Sequence, residues 1–534
     1  MRTDLPLPLL LAHRADTDPD ATAVVLDGQP ISYGHINDVS ARVATFLHGL
    51  GVRKGSRVAL LSANRPEFIF AWFGVMRLGA IEVPINPAAR GGRLAYMLAD
   101  SAASVLILEE ELLEALHGAE LPPSLETVIV MGVSDRAASS ELPPGVTVHS
   151  FTDCLECAPA PAADDTRLTF ADVAAIIYTS GTTGPSKGVL CPHGLIRTLG
   201  LDTIDMFEMT PEDTLYDGHP LFHAHGQGQV IYSSFAMGVP AILRRKFSAS
   251  GFVPDLYRYG VTIAFLVGAA GLVLKQPPSD LEGKLTLRRL CCVPVPRGSL
   301  DALEQRLRAE VIETYGMTEL GVISYTRPDS PRNGTCGNPT RRRQVRVADE
   351  TDAEVPPGSI GEILVRPLDE SSILAGYHGK PDDTVAAWRN LWFHTGDLGY
   401  VDDDGNIYFV SRRKDAIRRR GENISAYEVE LVLNAMPGIQ EAAVLAWPSP
   451  VGEDDVWAAV VLAPGANVTP EQIISFCKDR LDAYAIPRYI TFESSLPKTP
   501  TERVEKYKLR ERGLPADAYD NEAPQRRVDA EAGD

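Results

Sequence analysis

The chain has 534 residues, more than a single compact core normally holds, so at least two domains are expected. It contains 51 Lys and Arg against 71 Asp and Glu, and the resulting formal charge of −20 argues against nucleic acid as a partner, because a polyanion would be repelled. The seven cysteines are too few for a disulfide scaffold, and their odd number indicates reduced thiols and a cytoplasmic location.

Membrane association is not expected from this sequence. Residues 5–11 are apolar, but the stretch is short, is interrupted by Pro6 and Pro8, and lacks the small-residue cleavage site of a signal peptide. Hydrophobic residues make up 44% and charged residues 23% of the chain, which is typical of a soluble globular protein.

Short apolar runs alternate with helical patterns along roughly the first four hundred residues. Strand-like runs lie at residues 58–61, 80–84, 105–108, 128–131 and 174–178, and a helix-like pattern lies at residues 66–78. This alternation predicts an α/β architecture in which layers of helices surround largely buried β-sheets.

The pattern changes near residue 400. Two short strand-like runs flank an Asp-Gly turn within residues 399–410, which predicts a β-hairpin. Helical patterns then cover residues 427–435 and 470–481, with strand-like runs at 441–445 and 456–462 between them. These elements predict a small α+β domain, and the polar composition of residues 516–534 predicts a disordered tail.

A loop rich in glycine, hydroxyl groups and one lysine directly follows the strand-like run at 174–178. It reads Tyr-Thr-Ser-Gly-Thr-Thr-Gly-Pro-Ser-Lys-Gly over residues 178–188. Glycines allow backbone N–H groups to face a phosphate, hydroxyl groups add donors, and the lysine adds a cation. The spacing differs from that of a Walker loop. The candidate phosphate ligands are Thr179, Ser180, Gly181, Thr182, Thr183, Gly184 and Lys187.

This loop resembles the signature of the adenylate-forming superfamily, which contains acyl-CoA synthetases, peptide-synthetase adenylation domains and luciferases. Four further stretches are similar to that family in the same order, so the resemblance covers nearly the whole chain. It implies a large N-terminal domain, a small mobile C-terminal domain, and the use of ATP and Mg²⁺ to convert a small carboxylic acid into an acyl-AMP. Among the groups of this superfamily, the sequence most resembles the carnitine/crotonobetaine-CoA-ligase-like group.

Residues 314–319, Thr-Tyr-Gly-Met-Thr-Glu, resemble the family's adenine and α-phosphate segment. Tyr315 offers a flat face for stacking on adenine, and Thr318 can donate a hydrogen bond to the α-phosphate. Glu319 supplies a hard oxygen ligand of the kind that Mg²⁺ prefers. Gly316 is expected to lie beside both the nucleotide and the acyl group.

Residues 392–397, Trp-Phe-His-Thr-Gly-Asp, resemble the ribose-binding stretch, in which Asp397 would accept hydrogen bonds from the ribose hydroxyl groups. Arg412 matches an arginine that helps to hold the same ribose, and Lys414 matches the hinge. The resemblance therefore implies a large domain of residues 1–410 and a lid domain of residues 411–515. Gly421 matches a loop that faces the active site after the lid rotates, where a glycine leaves room for a pantetheine arm.

The acyl pocket is assigned by resemblance alone. Residues 220–226 are similar to the segment that lines this pocket, and His223 occupies its gate position, although a single histidine is also common as a structural residue. Val267 and Gly268 should lie across the same pocket. Two basic clusters, at residues 341–343 and 418–420, are expected on the solvated surface, and the second could alternatively meet CoA phosphates.

Two stretches depart from the family pattern. The family's small domain ends with a lysine that reaches the substrate carboxylate and the α-phosphate, and here Arg503 occupies that position. Arginine keeps the charge but presents a planar fork instead of an ammonium, so Lys506 or Lys498 could serve instead. Relatives usually carry Gly-Gly-Ala-Pro where residues 291–294 read Cys-Cys-Val-Pro, which could reshape the pocket floor.

The leading hypothesis is therefore an ATP- and Mg²⁺-dependent ligase that transfers the acyl group to CoA. Catalysis of adenylation is expected from Arg503, Lys187, Thr318 and Glu319. An amine, a carrier protein or nitrite could replace CoA as the acceptor, because the first step is the same. A nucleotide-binding homologue weakened by the Arg503 change is the alternative from another class. Relatives are often dimers, so a homodimer is a possible assembly.

Overall fold

The computed structural model describes residues 2–116, 120–132, 145–159, 167–179, 186–293, 299–331, 334–413, 416–419, 422–449, 453–478, 480–498 and 504–522. Several residues with predicted roles lie outside these ranges, namely Ser180, Gly181, Thr182, Thr183, Gly184, Lys414, Gly421 and Arg503. Their roles remain predictions from the sequence.

Two large sheets form the main body of the described chain. The first comprises β3 (Arg57–Leu61), β4 (Ile81–Ile85), β5 (Val105–Glu109), β6 (Thr127–Met131), β7 (Thr147–Ser150), β8 (Val173–Tyr178), β9 (Gly188–Pro192) and β19 (Gly376–Tyr377). Its spatial order is β19-β9-β8-β4-β3-β5-β6-β7, and the pairs from β4 through β7 are parallel.

The second large sheet comprises β1 (Thr22–Leu26), β2 (Gln29–Ser32), β10 (Leu215–Asp217), β11 (Ala241–Leu243), β12 (Ile263–Val267), β13 (Arg289–Val293), β14 (Glu310–Met317), β15 (Gly321–Tyr325) and β16 (Asn338–Pro339). Its order is β16-β15-β14-β13-β12-β10-β11-β1-β2. Parallel pairing runs from β14 through β11 to β1, with antiparallel strands at both edges.

Helices cover these sheets and fill the space between them. The helices of the large body are α1 (Leu7–Thr17), α2 (Tyr33–Gly49), α3 (Pro66–Arg77), α4 (Gly91–Ser101), α5 (Phe151–Glu156), α6 (His193–Phe207), α7 (Ser233–Met237), α8 (Ala249–Arg258), α9 (Ala270–Leu274), α10 (Leu300–Leu307) and α11 (Pro381–Ala387). 3₁₀ turns lie at Glu110–Leu116 and Glu282–Lys284, and a π-helical segment lies at His225–Tyr232. No helix in the described ranges is both long and apolar enough to cross a membrane.

The central core lies between the two sheets. α3 is apolar around nearly its whole circumference, as expected for a helix buried on all sides, and it packs against α2. Gly74 permits this approach, because a Cβ atom there would lie 2.7 Å from Cγ1 of Val43. Alternate residues of each sheet face this core or a separate outer core, so both sheets are buried on both faces. The predicted α/β architecture is confirmed.

A third sheet follows the two large ones. It contains β17 (Arg343–Ala348), β18 (Gly361–Pro367), β20 (Trp388–Arg389), β21 (Trp392–Val401) and β22 (Ile407–Arg412). The predicted hairpin is present as the antiparallel pair β21–β22, and the turn is held by Asp402, whose Oδ1 accepts from the N–H groups of Asp404 and Asn406. The prediction from the Asp-Gly turn is therefore confirmed.

The remaining elements form a small α+β unit. They are β23 (Ala416–Arg419), β24 (Glu422–Ser425), α12 (Ala426–Asn434), β25 (Ile439–Pro448), β26 (Asp454–Leu462), α13 (Pro470–Lys478), β27 (Tyr489–Phe492), α14 (Lys506–Arg512) and β28 (Tyr519–Asp520). β22 ends at Arg412 in the third sheet, whereas Ile417 of β23 packs in the small unit's own core. The chain therefore passes from one core to the other between these two residues.

The predicted disordered tail needs correction at its start. β28 pairs antiparallel with β27, and the Asp520 carboxylate accepts a hydrogen bond from Arg488 at 3.1 Å. Ordered structure thus extends beyond residue 515 to Glu522, because Tyr519 packs against the core of the small unit and because Arg488 and Arg419 form ion pairs with Asp520 and Glu522. Residues 523–534 lie outside the described ranges.

The basic cluster at residues 341–343 was predicted to be solvated, and this is wrong for two of its members. The Arg342 guanidinium is buried and pairs with Asp202 at 2.9 Å and Asp205 at 2.6 Å. Arg343 is also buried and donates to the backbone carbonyl oxygens of residues 320 and 372. These partners of Arg342 are carboxylates on α6, which is distant in the sequence, so the local charge pattern does not reveal them.

One buried carboxyl group gives a testable pH dependence. Glu82 of β4 is fully buried and accepts a hydrogen bond from Nε2 of Gln227 at 2.7 Å, and no ion pair to it occurs among the described residues. Burial raises the pKa of Glu82 well above its ordinary 4.5. The folded state therefore holds a proton that the unfolded chain releases above pH 4.5, so this group's contribution to stability falls as the pH rises.

Replacing Glu82 with glutamine should remove that pH dependence, because the amide keeps the shape but cannot ionise. The free energy of unfolding of the wild type should fall relative to Glu82→Gln between pH 5 and pH 8, by at most about 1.4 kcal/mol per pH unit for one proton. Thermal unfolding midpoints of the two proteins across this range provide the measurement. Midpoints that shift in parallel would show that Glu82 is not protonated in the fold.

Candidate active site

The end of the phosphate loop lies beside the edge of the first sheet. Lys187 directly precedes β9, and its ammonium lies 3.0 Å from Oδ1 of Asp383 on α11. The same ammonium lies 5.0 Å from the centroid of the Tyr377 ring. Thr179, at the other end of the loop, donates its backbone N–H to the Lys187 carbonyl oxygen at 3.1 Å, which closes the loop at its base.

Glu319 lies on the other side of Tyr377. Glu319 is buried, with 7% of the residue exposed, and its Oε1 accepts a hydrogen bond from the Tyr377 hydroxyl at 3.0 Å. Burial raises the pKa of Glu319 above its ordinary value, while the Tyr377 hydrogen bond and nearby Arg412 oppose this rise. A desolvated carboxylate with few partners is a suitable oxygen ligand for a hard cation such as Mg²⁺.

Tyr315 and Asp397, assigned from two separate stretches, are in direct contact. The Tyr315 hydroxyl donates to Oδ2 of Asp397 at 2.7 Å, and both side chains are buried. Asp397 and Arg412 are cross-strand partners in the β21–β22 hairpin, and the Arg412 Nε atom lies 3.7 Å from Oδ1 of Asp397. The hairpin therefore sets the distance between the two predicted ribose ligands.

Gly316 lies near the end of β14, and Thr318 lies in the turn between β14 and β15. An added Cβ atom at Gly316 would come within 2.4 Å of the Gly321 carbonyl oxygen. Packing alone therefore requires glycine at this position. The turn carries Thr318 and Glu319 at its far end, where Leu320 donates its N–H to the Met317 carbonyl oxygen at 3.2 Å. The predicted adenine and metal residues thus share one tight hairpin.

The predicted acyl-pocket segments are joined through a histidine that the sequence analysis did not select. Nε2 of His219 lies 2.9 Å from the Val267 carbonyl oxygen, which connects the segment carrying His223 to the end of β12. Nδ1 of the same ring lies 2.7 Å from Oδ1 of the fully buried Asp217. Gly268 has a φ of +69°, which favours glycine, and an added Cβ atom would meet open space.

Asp217, His219 and His225 have the composition of a metal site, since one ligand atom from each lies within 4.8 Å of the others. However, ligands at about 2.0–2.2 Å from a tetrahedral zinc ion lie roughly 3.3–3.5 Å apart. The 2.7 Å between His219 and Asp217 is instead a hydrogen-bond distance. Both nitrogens of His219 face oxygen acceptors, so the ring must carry two protons and form an ion pair with Asp217.

The pKa shifts agree with this ion pair. Burial alone would lower the pKa of His219, but the Asp217 carboxylate raises it above the ordinary value. Burial would likewise raise the pKa of Asp217, yet His225 and His219 hold it well below its usual range. We interpret the cluster as a charged anchor for the pocket wall and not as a metal centre.

The structure also changes the interpretation of the basic cluster at residues 418–420, of which the Arg419 side chain is described. Arg419 is buried, pairs with Asp455 at 3.0 Å and with Glu522 at 2.7 Å, and donates to the backbone carbonyl oxygens of residues 484 and 486. Its guanidinium therefore has no free face for a CoA phosphate. The alternative of a solvated surface position is equally wrong for this residue.

Removing one hydroxyl group tests the contact between the two nucleotide residues. Tyr315→Phe keeps the flat ring but leaves the buried Asp397 carboxylate without its phenol donor. The carboxylate would then be less well oriented toward the ribose, and a hydrogen bond to a charged group contributes about 1.5–3 kcal/mol, so ATP affinity should fall by up to roughly 100-fold. Calorimetric titration with MgATP measures this loss, and an affinity within twofold of the wild type would contradict the role of the pair.

Comparison with known proteins identifies the family. The model of the AMP-binding enzyme family matches residues 11–378, and the model of the AMP-binding enzyme C-terminal domain matches residues 428–503. The chain belongs to the AMP-binding enzyme family. Within it, the chain is an enzyme of the adenylate-forming, acyl-CoA synthetase-like group.

Curated and solved relatives cover almost the full length. The crotonobetaine/carnitine–CoA ligase of Salmonella paratyphi A is 29% identical over 510 residues, which are 93% of this chain and 97% of that protein. ATP-bound MatB of Rhodopseudomonas palustris has a TM-score of 0.81 at 26% identity, covering 95% of this chain and 98% of that one.

A second solved relative is o-succinylbenzoate CoA synthetase, MenE, of Bacillus subtilis. Its complex with the acyl-adenylate OSB-AMP has a TM-score of 0.81 at 25% identity, covering 95% of this chain and 98% of that one. Its complex with ATP and magnesium has the same TM-score and identity, with coverages of 94% and 99%. The fold predicted from the sequence is that of these adenylating enzymes.

Proposed function

We propose that the protein activates a small carboxylic acid with ATP and Mg²⁺ as an acyl-AMP, and then transfers the acyl group to the thiol of CoA. One observation carries this proposal: Lys187, Tyr377 and Glu319 form a continuous set of contacts beside the Tyr315–Asp397 pair. The Lys187 cation would face the phosphates, the Glu319 carboxylate would face the metal ion, and the Tyr315–Asp397 pair would face the nucleoside.

In the first half-reaction, an oxygen of the substrate carboxylate attacks the α-phosphorus, and the bond to pyrophosphate breaks. The barrier arises mainly from repulsion between anions, so positioning and positive charge provide most of the catalysis. Lys187 would bind the outer phosphates, Thr318 would donate to the α-phosphate, and Arg503 would approach the reacting carboxylate. A Mg²⁺ ion held by Glu319 would neutralise phosphate charge and orient the leaving group.

In the second half-reaction, the small domain would rotate about Lys414 and present Gly421, after which the thiol attacks the acyl carbon and AMP leaves. Two features support a boundary at this point. The chain passes from the large body to the small core between Arg412 and Ile417. The two family models also leave residues 379–427 between them.

A second acceptor remains a candidate because of one specific observation. Arg419, a member of the cluster considered for CoA phosphates, is fully engaged by Asp455 and Glu522. This removes one candidate cation from a CoA site, so an amine, a carrier protein or nitrite is kept as the alternative nucleophile. The first half-reaction is the same for all of these acceptors.

The test follows the products of both steps by mass spectrometry. The purified protein is incubated with ATP, Mg²⁺ and a panel of aliphatic, aromatic and dicarboxylic acids, and acyl-AMP and pyrophosphate are measured. CoA, amines or nitrite are then added separately. Acyl-AMP followed by acyl-CoA supports the proposal, whereas pyrophosphate release with no acyl-CoA but with an amide or nitrite-derived product supports the alternative. No pyrophosphate with any acid would refute both.

A further inference from the structure

A short segment connects the two predicted phosphate-binding regions through backbone hydrogen bonds. We call residues 374–378 the strap. Leu374 donates its N–H to the Glu319 carbonyl oxygen at 2.7 Å, and His378 donates its N–H to the Gly188 carbonyl oxygen at 2.7 Å. Between these contacts, β19 pairs antiparallel with β9, so the strap joins the metal side of the site to the base of the phosphate loop.

Tyr377 is the strap residue whose side chain reaches both sides. Its hydroxyl donates to Glu319 Oε1 at 3.0 Å, and its ring lies 5.0 Å from the Lys187 ammonium. A cation over an aromatic face is attracted by the ring quadrupole. One side chain therefore contacts a predicted metal ligand through its edge and a predicted phosphate ligand through its face.

The two contacts have separable chemical origins. The cation–π contact with Lys187 depends on the ring and would survive in phenylalanine. The contact with Glu319 depends on the hydroxyl group, which donates to the carboxylate at 3.0 Å and is absent in phenylalanine. Without this donor, the buried Glu319 carboxylate would lose the hydrogen bond that it accepts from the Tyr377 hydroxyl.

We propose that Tyr377 is a positioning residue that holds the Glu319 carboxylate and the Lys187 ammonium at the spacing required by MgATP. This inference rests on the proposed function and assigns a role to a residue outside the selected motifs. Tyr377 does not contact a reacting atom. It acts through Glu319 on the metal side and through Lys187 on the phosphate side.

Calorimetric titration with ATP, with and without Mg²⁺, separates the two contacts without requiring the carboxylic acid. Tyr377→Phe should bind ATP alone as the wild type does, but its affinity for MgATP should fall roughly 10- to 100-fold, since a hydrogen bond to a charged group is lost. Tyr377→Leu removes the ring as well, so it should weaken ATP binding under both conditions. Tyr408→Phe is the matched control, because that phenol donates to Asp402 at 3.2 Å in the β21–β22 turn.

The outcomes distinguish this inference from the proposed function. If the wild type does not bind MgATP, the proposed function itself fails. If the wild type binds MgATP but Tyr377→Phe retains the same Mg²⁺ dependence, the positioning role is wrong while the function stands. An equal loss with and without Mg²⁺, accompanied by a lower unfolding midpoint, would indicate a merely structural role and would also overturn the inference.

Discussion

Replacing Glu319 with glutamine is expected to slow acyl-AMP formation by on the order of 100-fold or more, the largest loss expected from a change at a described position. The amide keeps the size of the side chain but removes the anionic oxygen that would bind Mg²⁺. Pyrophosphate release at saturating acid and ATP, measured over a range of Mg²⁺ concentrations, reports the loss. The deficit should persist at high Mg²⁺, because the cation would lack its ligand.

Glu310→Gln is the matched control for this experiment. Glu310 begins the same strand, β14, but it pairs with Arg289 at 3.2 Å and lies away from the nucleotide contacts, so the rate of this variant should stay near that of the wild type.

Burial raises the pKa of Glu319, and Mg²⁺ binding needs the ionised form, so the wild-type rate should rise with pH as this carboxyl group ionises. A Glu319→Gln variant with an undiminished rate would remove the metal role from this residue.

Arg503→Ala should reduce the first half-reaction by a similar factor, on the order of 100-fold, while Arg503→Lys should keep most of the activity. The reason is electrostatic: a cation near the α-phosphate and the substrate carboxylate lowers the repulsion between them. The measurement is pyrophosphate release in single turnover. Acyl transfer from preformed acyl-AMP should change little in Arg503→Ala, because that step does not need the same cation.

Two lysines provide controls for Arg503, which lies outside the described residues. Lys506 pairs with Glu430 at 2.7 Å and Lys498 pairs with Glu441 at 3.0 Å, both within the small unit. Lys506→Ala and Lys498→Ala should therefore retain adenylation. If either variant loses adenylation while Arg503→Ala does not, the catalytic cation has been assigned to the wrong residue.

The sequence was sufficient to select residues that belong to local motifs and that the fold brings together. Tyr315 and Asp397 were selected from separate stretches 82 residues apart, and the structure brings them to 2.7 Å. The hairpin before the small unit was predicted because an Asp-Gly turn fixes its geometry locally. In these cases the necessary information lies within a few consecutive residues.

The sequence was insufficient where a role depends on distant partners. Tyr377 resembles any tyrosine of a Gly-Tyr pair until β19 joins β9 and places its hydroxyl beside Glu319, 58 residues away. The role of His219 depends on its contacts with Asp217 and with the carbonyl oxygen of Val267, which only the fold brings together. A clue was available, since a histidine two positions after an aspartate at the end of a strand suggests a polar pair.

Charge patterns misled for the same reason. Arg342 and Arg419 were read as surface residues because each belongs to a run of arginines, yet both are buried against carboxylates from remote segments. A buried charge is tolerated only when it is paired, and the pairing cannot be read from neighbouring residues. The correction also removes Arg419 from the residues that could bind a CoA phosphate.

The most direct test of the central claim is a calorimetric titration of MgATP into the wild type and into a variant with Lys187→Ala, Glu319→Gln and Asp397→Asn combined. We expect saturable binding to the wild type and none to the triple variant, since phosphate, metal and ribose contacts are removed together. Equal affinity in the two proteins, or no binding to the wild type, would contradict the assignment of this site to ATP.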